Sequence, residues 1–265
     1  MKKIITNVSV AGIFSAPSFQ SEMITQSLYW EELEVLDKKE NWYKVKLFDN
    51  YIGWINEFYT IKKLLFKEHA TYIETNPFGE IKTNPRIDSK TILNCTFGVT
   101  IPAIETVKIN ELWWHKILLP NLNIGWIQDS GFDKKLSIRK TIEFVSKKLL
   151  GIPYVWGGRS SFGFDCSGFV QTIFKFCGIY LPRDSKDQYI FEKLKPIESK
   201  MSEAGDLVFF SKNDNITHIG ISLGKEAFIH SSGRVKVNSL NYLDSNYDDN
   251  LAKLYNSTLS IQKLV

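Results

Sequence analysis

The sequence predicts an α+β domain of about 130 residues preceded by two small β-barrels, and three features carry that prediction. A hairpin motif is used twice in the first half. Helical spacing of apolar residues takes over near residue 137, and three strand-like runs follow; helices succeeded by antiparallel strands make an α+β domain. The expected boundaries are 1–64, 65–134 and 135–265. The chain has 265 residues, 43% of them hydrophobic and 23% charged, a balance that excludes disorder and a fibrous fold. Its 33 Lys+Arg stand against 29 Asp+Glu, and the net charge of +4 is spread thinly, so nothing demands a nucleic-acid partner. No apolar run reaches the roughly 18 residues of a membrane span. The first residues, Met1 to Gly12, begin as a signal peptide would, but Thr6, Asn7 and Ser9 break the apolar core and the segment reads as an alternating strand. The expected location is cytoplasmic.

The repeat comes first in chain order. Trp42-Tyr43-Lys44-Val45-Lys46-Leu47 and Ile52-Gly53-Trp54-Ile55 are echoed 72 residues later by Trp114-His115-Lys116-Ile117-Leu118-Leu119 and Ile124-Gly125-Trp126-Ile127. In each copy a Trp opens an alternating run, a polar turn follows, and Gly-Trp closes a second run, which is the signature of an antiparallel hairpin inside a unit of about 65 residues. The four Trp residues are expected to fill barrel interiors. The pattern resembles the bacterial SH3-like domains that accompany cell-wall enzymes.

After Gly131-Phe132-Asp133 the texture changes. Ser137 can cap a helix whose apolar positions Ile138, Ile142, Val145 and Leu149 recur at helical spacing, with Gly151 just past its end. A glycine-rich loop (Gly157-Gly158, Gly163) leads into a second helix, Cys166 to Cys177, that stops at Gly178. Strand-like runs follow over Asp206 to Phe210, Thr217 to Leu223 and Glu226 to Ser231, the last two forming a hairpin about Gly224.

Three cysteines, Cys95, Cys166 and Cys177, cannot complete a disulfide framework and suit a reducing compartment or a free functional thiol. Cys177 and Cys95 sit in apolar sequence, as inert buried cysteines do. Cys166 instead lies between Asp165 and Ser167 where a glycine loop becomes a helix, and there the unpaired N–H groups and the helix dipole favour the thiolate. A nucleophilic thiol needs a base, and the base needs an orienting partner. His218 and His230 lie six residues either side of Gly224, so pairing centred on that glycine sets them opposite each other. A two-residue turn at Gly224-Lys225 would pair His218 with Ser231 and send His230 to the other face, so the arrangement requires an odd-length or bulged loop. His69 and His115 are given no catalytic role. There is no paired Cys-x-x-Cys for zinc and no Gly-x-Ser-x-Gly elbow for a serine triad.

Tyr154-Val155-Trp156-Gly157-Gly158, Phe164-Asp165-Cys166-Ser167-Gly168-Phe169-Val170, Gly205-Asp206-Leu207-Val208-Phe209-Phe210, His218-Ile219-Gly220-Ile221 and Ile229-His230 together resemble the NlpC family of papain-like cell-wall peptidases. With two leading SH3-like repeats the chain is similar to the branch of γ-D-glutamyl-L-diamino acid endopeptidases. That resemblance implies Cys166 as nucleophile, His218 as general base, His230 as the orienting third member, and Tyr154 near the oxyanion site. It further implies that Asp165, Ser167, Trp156, Asp184 and Ser185 line a pocket for the free α-amine of an N-terminal L-Ala, with Glu22 and either Tyr51 or Tyr59 contributed by the first SH3-like domain. Trp30-Glu31 departs from the Gly-Glu usual in relatives and puts that loop's geometry in question. The implied substrate is a murein tripeptide or tetrapeptide, with no cofactor, metal, nucleic acid, membrane or obligate protein partner.

Overall fold

The computed structural model describes residues 2–64, 67, 69–133 and 135–265, which divide into two compact units, Met1–Asp133 and Lys134–Val265. The first is all strands and short turns. Strands β1 (Lys3–Thr6), β2 (Val10–Phe14), β3 (Met23–Leu28), β4 (Glu32–Lys39), β5 (Trp42–Lys46), β6 (Ile52–Asn56) and β7 (Thr60–Lys62) form an antiparallel sheet ordered 3-2-6-5-4-1-7. Strands β8 (Ala70–Ile73), β9 (Phe78–Lys82), β10 (Thr91–Thr96), β11 (Thr100–Ile109), β12 (Leu112–Leu118) and β13 (Ile124–Gln128) form a second, ordered 10-9-13-12-11-8, which repeats the first strand for strand apart from β7. The two expected hairpins share one register: Trp42 faces Asn56 and Lys46 faces Ile52, while Trp114 faces Gln128 and Leu118 faces Ile124. Of the four repeat tryptophans, Trp42 and Trp114 are buried, whereas Trp54 and Trp126 are half-buried.

The two sheets are not separately cored. Ile5, Leu28, Tyr29 and Trp30 of the first pack with Tyr72, Ile81, Ile101 and Ile117 of the second in a common cluster, and only Ile4, Ile13, Leu33, Val45 and their neighbours remain private to the first. A unit of about 65 residues buries only about 60% of the surface its unfolded chain exposes, and pooling apolar faces offsets that shortage. Trp30 is the joint. Its backbone is left-handed at φ +68°, as is that of Gly98 at +78° in the matching turn of the second sheet. An L side chain there costs about 1–2 kcal/mol, which explains why glycine is the ordinary occupant. The Trp30 indole is buried, and its Nε1–H donates to the carbonyl of Leu118 at 2.7 Å, so burial and a hydrogen bond offset the backbone strain.

The second unit is α+β. Helix α1 (Ile138–Lys148) starts at Ser137, whose Oγ accepts from Lys140 N, and buries Ile142 and Val145. A two-residue ladder, β14 (Arg159–Ser160) with β15 (Gly163–Phe164), precedes helix α2 (Cys166–Phe176) and the short α3 (Ser185–Tyr189). Then β16 (Lys195–Ile197), β17 (Ala204–Lys212), β18 (Asn215–Gly224), β19 (Ala227–Ser232), β20 (Arg234–Ser239), helix α4 (Asp249–Leu254) and β21 (Tyr255–Ser260) complete an antiparallel sheet ordered 16-21-17-18-19-20. Sequence reading found the central three strands and passed over the flanking ones. Helix α1 packs on β17, and α2 on β18 and β19, which brings the start of α2 to the strands that carry both histidines. No helix among the described residues is long and apolar enough to cross a membrane.

Candidate active site

Cys166 is the first residue of α2. Asp165 is its N-cap, Oδ1 accepting from Gly168 N at 2.7 Å, which satisfies one donor of the first turn and fixes where the helix begins. The residue is partly accessible, but burial pushes its thiol up to about 11, the Asp165 carboxylate adding to the rise, while the N–H groups of Ser167 and Ile219 and the Arg183 guanidinium act against it. The helix start was expected to favour the thiolate; desolvation and the adjacent carboxylate outweigh it. The Ile219 contact places the sulfur against β18, one residue from His218.

The two histidines meet, though not directly across the ladder. Ile221 pairs with Ile229, Ser222 with Phe228 and Gly224 with Ala227, with a register shift between Ser222 and Gly224. The bulge that the sequence argument required is therefore present, but the register lies two residues from the symmetric one. Carried onward it sets Gly220, not His218, opposite His230, and makes the histidines diagonal neighbours on one face. A Cβ on Gly220 would lie 3.1 Å from the Cβ of His230, so the glycine gives the ring its room. His218 Nε2 lies 2.6 Å from His230 Nδ1. Burial, then the neighbouring His230, holds the His218 imidazole down to about 3; burial likewise holds His230 down to about 4, against a hydrogen bond to Asn238. Burial thus opposes ionisation of both the thiol and the two imidazoles.

Tyr154 is half-buried, and its phenol is pushed up to about 12 by burial first and then by Cys166 and Asp165, so it stays an O–H donor. Asp165 is buried and already engaged: Arg183 NH1 donates to Oδ1 at 3.1 Å and to Ser167 Oγ at 2.9 Å, and NH2 pairs with Oδ2 at 2.5 Å. Gln188 Nε2 donates to Ser167 O at 3.2 Å and Pro182 O at 2.8 Å, tying the first turn of α2 to the Arg183 loop. Asp184 is the N-cap position of α3 without a side-chain capping bond, and Ser185 is that helix's first residue. Trp156 is 62% exposed on the loop before β14. Glu22, exposed, with Tyr51 and Tyr59, half-buried, belongs to the first unit. The structure thus gathers Cys166, His218, His230, Tyr154, Asp165 and Ser167 at one place.

Sequence reasoning missed Gln188 and Asn238. Asn238 Oδ1 lies 2.9 Å from His230 Nε2. The signal was Val235-Lys236-Val237-Asn238, an alternating run: paired about Gly233 it sets Lys236 opposite His230 and Asn238 on the histidine's own face.

Residues 151–253 match the NlpC/P60 family, and residues 13–57 match the bacterial dipeptidyl-peptidase Sh3 domain. The gamma-D-glutamyl-L-lysine dipeptidyl-peptidase of Bacillus subtilis (strain 168) is 41% identical over 223 residues, covering 78% of this chain and 71% of the relative. The chain belongs to the NlpC/P60 family. A Bacillus cereus (strain ATCC 10987) protein of the same name is 29% identical over 236 residues, 80% of this chain and 68% of its own. The crystal structure of an NlpC/P60 family protein from Bacillus cereus ATCC 10987 superposes with a TM-score of 0.80 at 24% identity, over 97% of this chain and 98% of that one, which shows a common fold. As a family cysteine peptidase, the chain has a thiol at a helix start, an imidazole with one nitrogen engaged by a second imidazole, and a phenol that keeps its proton.

Proposed function

We propose that this protein hydrolyses the γ-D-glutamyl–diamino acid bond of murein peptides that begin with a free L-Ala, through an acyl-enzyme on Cys166. The observation that carries the reading is the hydrogen-bonded His218–His230 pair beside a helix-start cysteine, in a chain whose relatives are named for γ-D-glutamyl-L-lysine cleavage. His218 Nδ1 takes the thiol proton as Sγ attacks the γ-carbonyl carbon, because a neutral pair transfers the proton during attack rather than before it. The Cys166 N–H and the Tyr154 hydroxyl donate to the developing oxyanion. Collapse gives a thioester, and His218 returns the proton to the departing amine; water, deprotonated by the same nitrogen, then releases the glutamyl acid and frees the thiol.

In this reading Ser167, Trp156, Asp184 and Ser185 line the subsite for L-Ala. Asp165 meets the ammonium while shared with Arg183, since a buried charge is tolerated only when paired. The six-stranded sheet of β8 to β13 is proposed to be a second SH3-like domain, on the strength of its repeated strand order. The relatives' names favour L-Lys over meso-diaminopimelate as the third residue. The proposed setting is cytoplasmic recycling of wall peptides.

The deciding experiment follows, by mass spectrometry, L-Ala-γ-D-Glu-L-Lys, its meso-diaminopimelate counterpart, and both with the L-Ala amine acylated. Release of L-Ala-D-Glu from the free peptides alone supports the proposal. Equal cleavage of the acylated forms replaces it with hydrolysis of glycan-linked stems, and cleavage of none leaves wall binding without hydrolysis.

A further inference from the structure

We propose that Asn238 is a positioning residue: its side-chain amide sets the tautomers of His230 and His218 so that the bare ring nitrogen of His218 is Nδ1, the one left for the thiol. This deepens the peptidase reading and rests on it.

The chain of hydrogen bonds runs inward from a carbonyl. Asn246 O can only accept, and it receives Asn238 Nδ2 at 2.9 Å and the backbone N–H of Ser239 at 3.1 Å. The amide must therefore turn its NH2 toward Asn246 and its oxygen toward His230, a choice made by the hydrogen-bond network. Asn238 Oδ1, 2.9 Å from His230 Nε2, is an acceptor, so His230 carries its proton on Nε2. A neutral imidazole has one protonated nitrogen, which leaves His230 Nδ1 as an acceptor. Facing it at 2.6 Å, His218 Nε2 must then be the donor, and the lone pair of His218 sits on Nδ1. Every direction in the chain follows from the first.

Turning the amide over reverses all of them. The NH2 would donate to His230 Nε2, His230 Nδ1–H would donate to His218 Nε2, and His218 would hold its proton on Nδ1, where it blocks transfer from the thiol. In the observed arrangement His218 Nδ1 can accept the thiol proton and become imidazolium with Nε2–H still donating to His230, so no bond in the chain has to reverse. The loop supplying Asn246 is itself pinned: Ser239 Oγ donates to Asp244 Oδ2 at 2.7 Å and Tyr247 N to Asp244 O at 3.0 Å.

The test uses the full chain with 15N-labelled histidine. Wild type should show both His218 and His230 protonated on Nε2 near neutral pH. Asn238→Leu, similar in size but without an acceptor, should scramble the His230 tautomer and lower kcat about 10- to 100-fold with KM within twofold, the range typical of losing such an outer partner. Asn238→Asp keeps an acceptor toward His230 but opposes Asn246 O with a second oxygen; it should lose thermal stability yet keep the tautomers and kcat within about threefold. A purely structural role would rank the two variants by stability. Wild-type tautomers and kcat in Asn238→Leu, or kcat falling in step with stability in both variants, overturns the proposal. Expected tautomers in a wild-type protein that cleaves no γ-D-glutamyl peptide would instead remove the peptidase reading and leave the tautomer lock standing.

Discussion

Cys166 and Cys95 both sit beside a carboxylate, yet their surroundings differ in the respects that decide reactivity. Cys95 is wholly buried in strand β10, 3.6 Å from Gly79 O and 4.0 Å from Glu74 Oε2, and burial followed by Glu74 drives its thiol far above the ordinary range. Cys166 is partly accessible at a helix start, with N–H groups turned toward its sulfur. The histidines make the same contrast. His115, in the first unit, has both nitrogens occupied, Nδ1 with Thr106 Oγ1 at 2.9 Å and Nε2 with Asp129 Oδ2 at 2.6 Å. His218 has Nε2 occupied by His230 and, among the described residues, no partner on Nδ1. Chemistry is possible where one ring nitrogen is engaged and the other is left over, a distinction that residue type alone does not reveal.

The largest predicted effect tests that contrast directly. Cys166→Ala and His218→Phe should each lower kcat/KM by about 10⁴-fold or more, whereas Cys95→Ala should leave it within about twofold and cost about 1–2 kcal/mol of stability through the small cavity it opens. Steady-state kinetics beside urea unfolding reads both; an inactive but folded Cys95→Ala would break the comparison.

A second effect concerns pH. His218 acts as a base only when unprotonated, and both buried imidazoles are held well below their usual 6.5. The rate should therefore stay level as the pH drops through 6.5 and decline only on approaching about 4. An acid limb centred between 6 and 7 in kcat/KM would place His218 outside the desolvated site. Stability must move as well. The folded values lie below the unfolded one, so the unfolded chain binds more protons in that window; the stabilising contribution is complete above about 6.5 and is lost as the pH falls toward the folded values. The urea midpoint should therefore fall between pH 7 and 5, and His230→Gln should flatten that fall.

Much of this was legible before any coordinates. The repeated hairpins were readable because a Trp opening, a polar turn and a Gly-Trp closure fix register locally, and the helix at Cys166 because its apolar stripe and terminal glycine agree. What escaped depends on long-range partners. The bulge at Ser222 that brings the two histidines to one face, as diagonal rather than opposed neighbours, has no local signature. The departure at Trp30 was visible, but its hydrogen bond reaches Leu118, 88 residues away, and shows that two expected barrels share one core. Asp165 was read for its charge, whereas its pairing with Arg183 comes from a contact 18 residues distant.

The smallest predicted effect is the most pointed. His115→Phe keeps an aromatic ring against Tyr72, whose centroid lies 4.6 Å from that of His115, but removes both polar contacts. The Asp129 side chain is 32% exposed and Thr106 is exposed, so each can turn to water, and the loss should be only about 0.5–1.5 kcal/mol. Activity should stay within about twofold. The identical His-to-Phe change would then abolish catalysis at 218 and merely soften the fold at 115. If instead the two substitutions behaved alike in both assays, the engagement of ring nitrogens would not be what separates a reactive histidine from a structural one here.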